Sequence, residues 1–362
     1  MSKIFELFGY RRDAWTVEAQ ENLQSAHCPF MGAECDGGGN RHQSVIDLTQ
    51  HSELAAHFPG KSKVQAGVCS LLINDAHQPW IVCPRRLLTM RSDEHAHQEF
   101  VLRSLLQHVA LPKGSYRVWS DAKMKIETTT NEDEDKYFDY TFDYIIAGSC
   151  RKKLSEVADI VGLGFRRTRS EAEKNGFTVA QREGDLWIDD FPSDPIVILE
   201  VMASSTAGGN KRNRTQIAMA FEDAILRQDH TGPGINYRQV WARMVSQLIV
   251  KSQTALAWGG KTIWLIQDVL ADYISSSTAL NLQNYISQHP NEVNILAFGY
   301  GDLTTPQPMP PLQNATFYAG PITSDAHQTG FVDIVKIGAP PPKEYLWRAL
   351  FKKPPVSPLV VQ

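Results

Sequence analysis

Residues 195–202 read PIVILEVM, and this stretch decides the fold. It is too apolar for a strand with one face in water, so it predicts a central strand of a sheet covered on both faces. A single acid, Glu200, stands near its end and is followed two residues later by Met202. Because an unpaired buried carboxylate is costly, Glu200 is expected to have a partner, and a divalent cation is one such partner. The alternative is that Glu200 merely caps the end of the strand.

Strand-like and helix-like segments alternate through the middle of the chain. Alternating, aromatic or β-branched residues predict strands over 67–73, 80–83, 116–127, 137–148, 261–268 and 293–300. Apolar residues at helical spacing predict helices over 92–110, 215–228, 237–258 and 268–278. The alternation predicts an α/β core with a mixed central sheet flanked by helices.

Length and composition bound the organisation of the chain. With 362 residues, of which 42% are hydrophobic, the chain can bury a large core and divide into two or three domains. Shifts in composition predict a small cysteine-bearing domain over 1–92 and a core domain over 93–290. The strands and proline-rich end of 291–362 are expected to pack on that core.

The charge pattern and the absence of long apolar runs bear on partners. A net charge of −4 creates no overall attraction for a polyanion, although basic runs stand at 151–153, 164–169 and 210–214. No run approaches the roughly 18 apolar residues of a membrane span, and the N-terminus lacks a signal-peptide pattern. We therefore expect a soluble cytoplasmic protein without a membrane partner, and reduced thiols.

Four of the five cysteines lie in the first 92 residues, mostly in turns. They are Cys28, Cys35, Cys69 and Cys83. Thiols carried by turns suit a tetrahedral site for zinc or iron, which would be closed and structural. The alternative is that they are small buried hydrophobes. Possible replacement ligands are His27, His42 and His77, and Cys150 is most simply a bystander.

A second acid, Asp143, lies in TFDYII (141–146), on a predicted strand 57 residues before Glu200. Two acids on neighbouring strands can hold magnesium between them, which can activate water and stabilise charge on a phosphodiester. An acid on one strand followed by acid-x-lysine on the next is the pattern of the PD-(D/E)XK nucleases. At position 202, where that pattern has lysine, this chain has methionine.

Taken together, the cysteine segments and the acids resemble those of the NotI restriction endonuclease family. The resemblance rests on IFELFGY (4–10), CPFMGAEC (28–35), AGVCSLLIN (66–74), WIVCPRRLL (80–88) and TFDYIIA (141–147). It implies a PD-(D/E)XK restriction-endonuclease-like core over 93–290 with an added N-terminal four-cysteine domain. In that family the four thiols carry iron, with zinc as the usual competitor, and a homodimer cuts duplex DNA at a palindromic site.

The resemblance also implies roles for individual residues. Asp143 and Glu200 would hold the catalytic magnesium, and Glu127 roughly matches a further acid of the family's site. Met202 occupies the position of the pattern's lysine, and methionine cannot orient a water molecule, so another residue would have to do so. Candidates for that role are Lys211 and Lys123, and Gln247 is a weaker candidate for steadying a ligand.

Two basic segments are candidates for contacting DNA. In the loop over 204–214, glycines let the backbone approach the duplex, and Lys211, Arg212 and Arg214 can neutralise phosphates. The alternative is a flexible connector into the next helix. Beside the last cysteine, Arg85 and Arg86 are candidates for the DNA-facing surface of the N-terminal domain.

These expectations combine into a magnesium-dependent type II restriction endonuclease, part of a restriction-modification pair. It would hydrolyse duplex DNA at a specific, palindromic site and leave 5′-phosphates. Two alternatives stay open, a non-catalytic DNA-binding protein on the same scaffold and a nuclease acting on modified or damaged DNA.

Overall fold

The structure of this chain is a computed structural model. It describes residues 2–38, 44–73, 78–90, 99–109, 111–129, 135–207, 209–227, 229–325 and 329–335. Over 125–129 and 135–138 it describes the backbone alone.

The N-terminal part consists of short elements. They are β1 (Ser2–Leu7), β2 (Tyr10–Arg11), α1 (Val17–Ser25), β3 (His27–Cys28), β4 (Ala33–Glu34), β5 (Val45–Asp47), α2 (Ser52–Ala55), β6 (Lys63–Gln65), β7 (Val68–Ile73), β8 (Trp80–Ile81) and α3 (Pro84–Leu87). Four of these strands form a sheet in the order β2-β1-β7-β8, and two hairpins, β3-β4 and β5-β6, accompany it.

Longer elements follow from residue 99 onward. They are α4 (Glu99–Val109), β9 (Tyr116–Thr129), β10 (Asp135–Lys153), α5 (Leu154–Val161), α6 (Phe165–Lys174), β11 (Val179–Arg182), β12 (Asp185–Val201), α7 (Ile217–Leu226), α8 (Tyr237–Ala257), β13 (Lys261–Gln267), α9 (Asp268–Ser277), β14 (Val293–Tyr300) and β15 (Leu312–Gly320). Short 3-10 segments lie at Arg12–Ala14, Leu48–Gln50, Leu282–Tyr285 and Phe331–Val335.

The central sheet has the strand order β15-β14-β13-β12-β10-β9, with β11 paired to β12. β12, β13 and β14 run parallel, and the remaining pairs are antiparallel. Val197, Ile198 and Leu199 are fully buried. The prediction that PIVILEVM forms a central strand is therefore confirmed, as is the prediction of a mixed sheet flanked by helices.

One apolar cluster joins the N-terminal part to helices on one face of the central sheet. Phe221 of α7 packs against Phe8 and Phe58, with ring centroids 5.9 and 6.1 Å apart. A second cluster on the other face packs α4 against β13 and β14. The N-terminal residues thus share a core with the helices that follow the sheet, and the expected boundary at 92–93 lies outside the described residues.

The described part of the C-terminal region belongs to the central sheet. β14 and β15 extend the central sheet, so residues 293–320 complete it. The proline-rich end, 336–362, lies outside the described residues. Within the described part of the chain, no helix is both long enough and apolar enough to cross a membrane.

A buried ion pair ties the N-terminal sheet to the rest of the molecule. The Arg86 Nε donates to Glu6 Oε1 at 3.0 Å, and the two side chains are 4% and 0% exposed. Ser70 and Tyr300 hydroxyls donate to the other Glu6 oxygen, each at 2.6 Å. Arg86 also donates to the Pro310 carbonyl and packs over aromatic rings. The prediction that Arg86 contacts DNA is wrong, because its guanidinium is enclosed by these groups.

We expect Arg86→Met to lower the free energy of unfolding by about 3–5 kcal/mol, because it leaves the Glu6 carboxylate buried without its cation. Urea unfolding at neutral pH measures the change. Arg103→Met is the matched control, since Arg103 pairs with Glu99 on the surface, both side chains being 69% exposed. It should cost less than about 1 kcal/mol. Equal losses of unfolding free energy in the two variants would show that the buried ion pair stabilises the fold no more than the surface pair does.

Candidate active site

The two predicted acids meet on adjacent strands. Tyr144 of β10 pairs with Leu199 of β12 in antiparallel register, so Asp143 and Glu200 are the next facing positions. Side chains of facing residues emerge on the same side of a sheet. Both acids line one open cleft of about 620 Å³. The structure therefore brings together the two side chains on which the sequence argument depends.

Asp143 is held by the neighbouring strand. Its Oδ2 accepts a hydrogen bond from the backbone N–H of Val201 at 2.8 Å. Burial raises the pKa of this carboxyl, and the Val201 amide and the Lys251 ammonium act in the opposite direction. Asp143 is thus fixed at the cleft by main-chain geometry.

Glu200 is only 3% exposed in the cleft. Its Oε2 accepts from Lys251 Nζ at 2.5 Å, whereas Oε1 has no hydrogen-bond partner among the described residues. Burial, followed by the charge of Asp143, raises the pKa of Glu200 to about 8, against the lowering effect of Lys251. An orphaned buried carboxylate oxygen is costly, and here it belongs to a site that can take a cation.

Lys251 is a candidate functional residue of the cleft that the sequence did not point to. It lies on α8, is 2% exposed, and donates to the Thr141 carbonyl at 2.8 Å as well as to Glu200. One signal could have found it. Lys251 occupies the apolar face of α8, in line with the buried residues Leu248 and Ala255. A lysine on such a face is rare unless it is paired.

The two lysines suggested by the sequence lie elsewhere. Lys123 is 65% exposed and forms an ion pair with Asp139 at 3.8 Å. Lys211 is exposed in the turn after β12. Neither lines the cleft as the structure describes it.

The further acids that line the cleft are Asp121 and Asp139, whereas the strand register places the expected Glu127 away from it. Phe142 pairs with Ala122 and Tyr144 with Ser120, which places Asp121 opposite Asp143. Asp121 lines the cleft and has a φ of +51°, a left-handed conformation that is uncommon outside glycine and is often found at functional sites. Its charge opposes ionisation of Asp143 and so contributes to the raised pKa of that carboxyl.

The register places Glu127 away from the two acids. Glu127 pairs with Tyr137, six residues along β10 from Asp143, or about 20 Å of strand. Its side chain lies outside the described residues.

Met202 borders the cleft but has no proton to exchange. It is 8% exposed, its backbone N–H donates to the Leu265 carbonyl at 2.9 Å, and its side chain belongs to the apolar cluster beside α8. At the position where the nuclease pattern has lysine, Met202 therefore packs in the apolar cluster. The ammonium group at the cleft belongs to Lys251 of α8.

The remaining predicted DNA contacts divide into cleft and surface residues. Arg85 lines the cleft and pairs with Asp36 at 3.1 Å. Lys211 and Arg212 are exposed in a turn. Arg214 forms ion pairs at 2.8 Å with both Glu222 and Asp223, so it holds that turn to α7.

One face of α8 supplies further polar groups to the cleft. Arg243, Gln247 and Lys251 follow one another at four-residue intervals, and all three line it. Arg243 is exposed and forms no ion pair in the described part of the chain. The cleft thus combines acids from the sheet with bases from the helix.

The four N-terminal cysteines are drawn from separate segments. Cys28, Cys69 and Cys83 are buried, and Cys35 is partly buried. Burial raises the pKa of each thiol, for Cys83 to about 12. The charge of neighbouring thiolates raises the pKa of Cys35, Cys69 and Cys83 further. The four thiols are therefore close enough for the charge of one to affect another.

The space around these thiols is narrow. A Cβ at Gly38 would lie 2.6 Å from Cys83 Sγ, and Gly38 has a φ of +53°, so only glycine suits this position. Of the proposed replacement ligands, His42 and His77 lie outside the described residues. Across the described ranges, no three or more His, Cys, Asp or Glu side chains are grouped so that they could hold a metal ion as they stand.

Comparison with known proteins does not indicate a function for this chain. No protein-family model, no curated protein and no solved structure matches this chain.

Proposed function

We propose that this protein is a magnesium-dependent endonuclease for duplex DNA, built on a PD-(D/E)XK-like core whose lysine comes from helix α8. One observation carries the proposal. Lys251 Nζ lies 2.5 Å from Glu200 Oε2 and shares a cleft with Asp143. The cleft therefore contains the two acids and the lysine that the nuclease pattern needs, and it has Asp121 and Asp139 as further acids.

Asp143 and Glu200 fit a hard divalent cation. Magnesium binds through one or two carboxylates and keeps several waters, and Glu200 Oε1 is buried without a partner among the described residues. Asp121, on the next strand, is a further oxygen donor at the same cleft. When bound, magnesium supplies an activated water and positive charge beside the scissile phosphate.

Lys251 takes the role left vacant by Met202. An ammonium group has three N–H donors, and Glu200 and Thr141 accept two of them. The third can orient the attacking water or stabilise charge on a phosphate oxygen. Because Lys251 is buried between fixed partners, it would hold that position without reorganising during the reaction.

The surface around the cleft supports a nucleic-acid substrate. Arg243 and Gln247 line the cleft from the same helix as Lys251. An exposed arginine there can neutralise a backbone phosphate and hold the strand over the acids. Lys211 and Arg212 are exposed in the turn between β12 and α7 and are further candidates for phosphate contacts.

A type II restriction enzyme is the form of this activity that we propose. One cleft cuts one strand, so cutting both strands at one place requires two copies of the chain. A two-fold homodimer places a cleft on each strand, and its symmetry is matched by a palindromic site.

Plasmid digestion tests the proposal. With magnesium we expect discrete fragments whose sequenced ends carry 5′-phosphates and share one palindromic site, and with a chelator we expect none. Binding without cutting under any divalent cation would support the non-catalytic alternative, which Met202 favours. Cutting only on modified DNA would support the third possibility.

We propose that the four thiols form a separate structural site for iron or zinc. Soft thiolates suit both metals, and the Gly9 amide already donates to Cys69 sulfur at 3.2 Å. The metal would stabilise the turns that carry Cys28, Cys35 and Cys83 against the N-terminal sheet, without taking part in hydrolysis.

Elemental analysis of Cys69→Ser tests this site. We expect wild-type protein to carry about one equivalent of iron or zinc, and the variant to lose most of it and to unfold at a lower temperature. Cys150→Ser is the matched control, since Cys150 lies on β10 at the pairing with Phe191. Unchanged metal content in Cys69→Ser would refute the four-thiol site.

A further inference from the structure

Two helices follow β10 as a unit with its own small core. We call residues 151–182 the α5–α6 unit. α5 ends at Val161, Gly162 adopts the left-handed conformation, and α6 begins at Phe165 after a three-residue turn. Two helices joined by a short glycine-containing turn occur in αα-hairpins and in helix-turn-helix units, and in the DNA-binding form the second helix enters the major groove.

The unit is anchored, so its second helix has a fixed face toward solvent. Its buried cluster packs against β12 and consists of Leu154, Val157, Ala172 and Ile188. Thr168 is buried four residues before Ala172 and marks the inner face of α6. The exposed residues of α6 lie away from that face, and they include Arg166, Arg167, Ser170 and Lys174.

The charge of the unit differs from that of the chain. Residues 151–182 contain eight lysines and arginines against four acids, a net charge of +4, whereas the whole chain carries −4. Arg151 and Arg182 share the single carboxylate of Asp189. Lys153 pairs with Asp185, and Arg169 pairs with Glu173.

Arg166 and Arg167 are the arginines of the unit that stay uncompensated. Neither forms an ion pair within the described residues, and both are exposed near the N-terminus of α6. A recognition helix uses its N-terminal residues to reach base edges, and arginine is the residue that most often reads guanine.

Exposed apolar side chains flank the turn between the helices. Ile160, Val161 and Phe165 are 60%, 44% and 47% exposed and lie beside the two arginines in sequence. Apolar side chains on such a surface can contact thymine methyl groups. Basic and apolar side chains together match the hydrogen-bond acceptors and methyl groups that bases present in the major groove.

We propose that the α5–α6 unit binds duplex DNA in the major groove, with Arg166 and Arg167 as its principal contacts. This inference rests on the proposed function for the identity of the ligand. Lys153, near the start of the unit, is ten residues along β10 from Asp143, or about 30 Å. A separation of about 30 Å is the length of about nine base pairs, so the unit lies well away from the acids of the cleft.

The test is binding of a labelled 30-base-pair duplex of mixed sequence, in calcium to prevent cutting. We expect Arg166→Ala/Arg167→Ala to weaken binding about tenfold or more at 50 mM salt. The slope of log affinity against log salt should fall by about 2, because two positive charges that displace counterions from the duplex are lost. Methyl green, which occupies the major groove, should compete with wild type.

Arg103→Ala/Lys113→Ala is the matched control, because it removes two exposed charges elsewhere. It should stay within about twofold of wild type. Equal weakening in both double variants, or no weakening in either, would overturn the inference. Circular dichroism of each variant checks that the unit remains folded, and Arg166→Lys/Arg167→Lys should restore most of the salt slope.

The outcomes separate this inference from the proposed nuclease. If wild type cuts DNA and the arginine variant binds normally, the nuclease stands and the inference fails. If wild type binds through these arginines but never cuts, the inference stands and the nuclease fails. If sedimentation shows that the variant loses affinity only by losing self-association, the surface is a protein contact and the inference fails.

Discussion

Lys251→Met is expected to reduce DNA cutting by about 10²–10³-fold, the range that one preorganised hydrogen-bond donor contributes to stabilising a transition state. The substitution keeps the length of the side chain but removes the ammonium that contacts Glu200 and Thr141. Binding of duplex in calcium should change little, because the lysine acts on the reacting groups. Cutting rates under single-turnover conditions measure the effect, and Lys113→Met, an exposed site, should behave as wild type.

Relocating the lysine gives a sharper result. Met202→Lys/Lys251→Met returns an ammonium to the strand position of the family pattern, beside the same cleft. We expect it to recover part of the lost rate, with an unfolding temperature measured in parallel because Lys251 is buried. If Lys251→Met folds and cuts normally, the helix lysine has no catalytic role.

Asp143→Asn and Glu200→Gln should each reduce cutting by about a thousandfold or more. Metal-based stabilisation is worth several kcal/mol, and each 1.4 kcal/mol changes a rate about tenfold. Both substitutions keep the shape of the side chain and remove its negative charge, so they test the charge that a cation needs. Calorimetric titration with magnesium gives a readout independent of cutting, and we expect the binding heat to be lost.

Glu53→Gln is the control for these two variants, since Glu53 is exposed on α2. It should bind magnesium and cut like wild type. If both cleft variants retain magnesium binding and full activity, the two acids do not form the site and the proposed mechanism fails.

Several features of the fold could be predicted from local patterns. PIVILEVM predicted the end of β12, and the alternation of helices and strands predicted most of the central sheet, because side-chain period reflects the face that each element buries. The elements over 154–182 and the strands β1 and β15 were not predicted. The first lie in a basic, mixed segment where exposed arginines obscure the small buried face formed by residues such as Val157 and Ala172.

Part of the candidate site could also be predicted from the sequence, and part could not. The sequence pointed to Asp143 and Glu200, since each stands on an apolar strand. It could not distinguish Asp121 from Glu127, because a choice between two acids on one strand depends on the register with β10. Arg86 looked like a surface base in the sequence, and only the carboxylate of Glu6, 80 residues away, accounts for its burial.

By itself the sequence determined the central strand, its terminal acid and the apolar period of α8. The tertiary structure alone decided that Lys251, 51 residues beyond Glu200, supplies the ammonium group at that acid. The physical reason is that periodicity depends on neighbours along the chain, whereas an ion pair across the core depends on how a helix packs over a sheet. No local sequence pattern encodes the distance between the Lys251 ammonium and the Glu200 carboxylate.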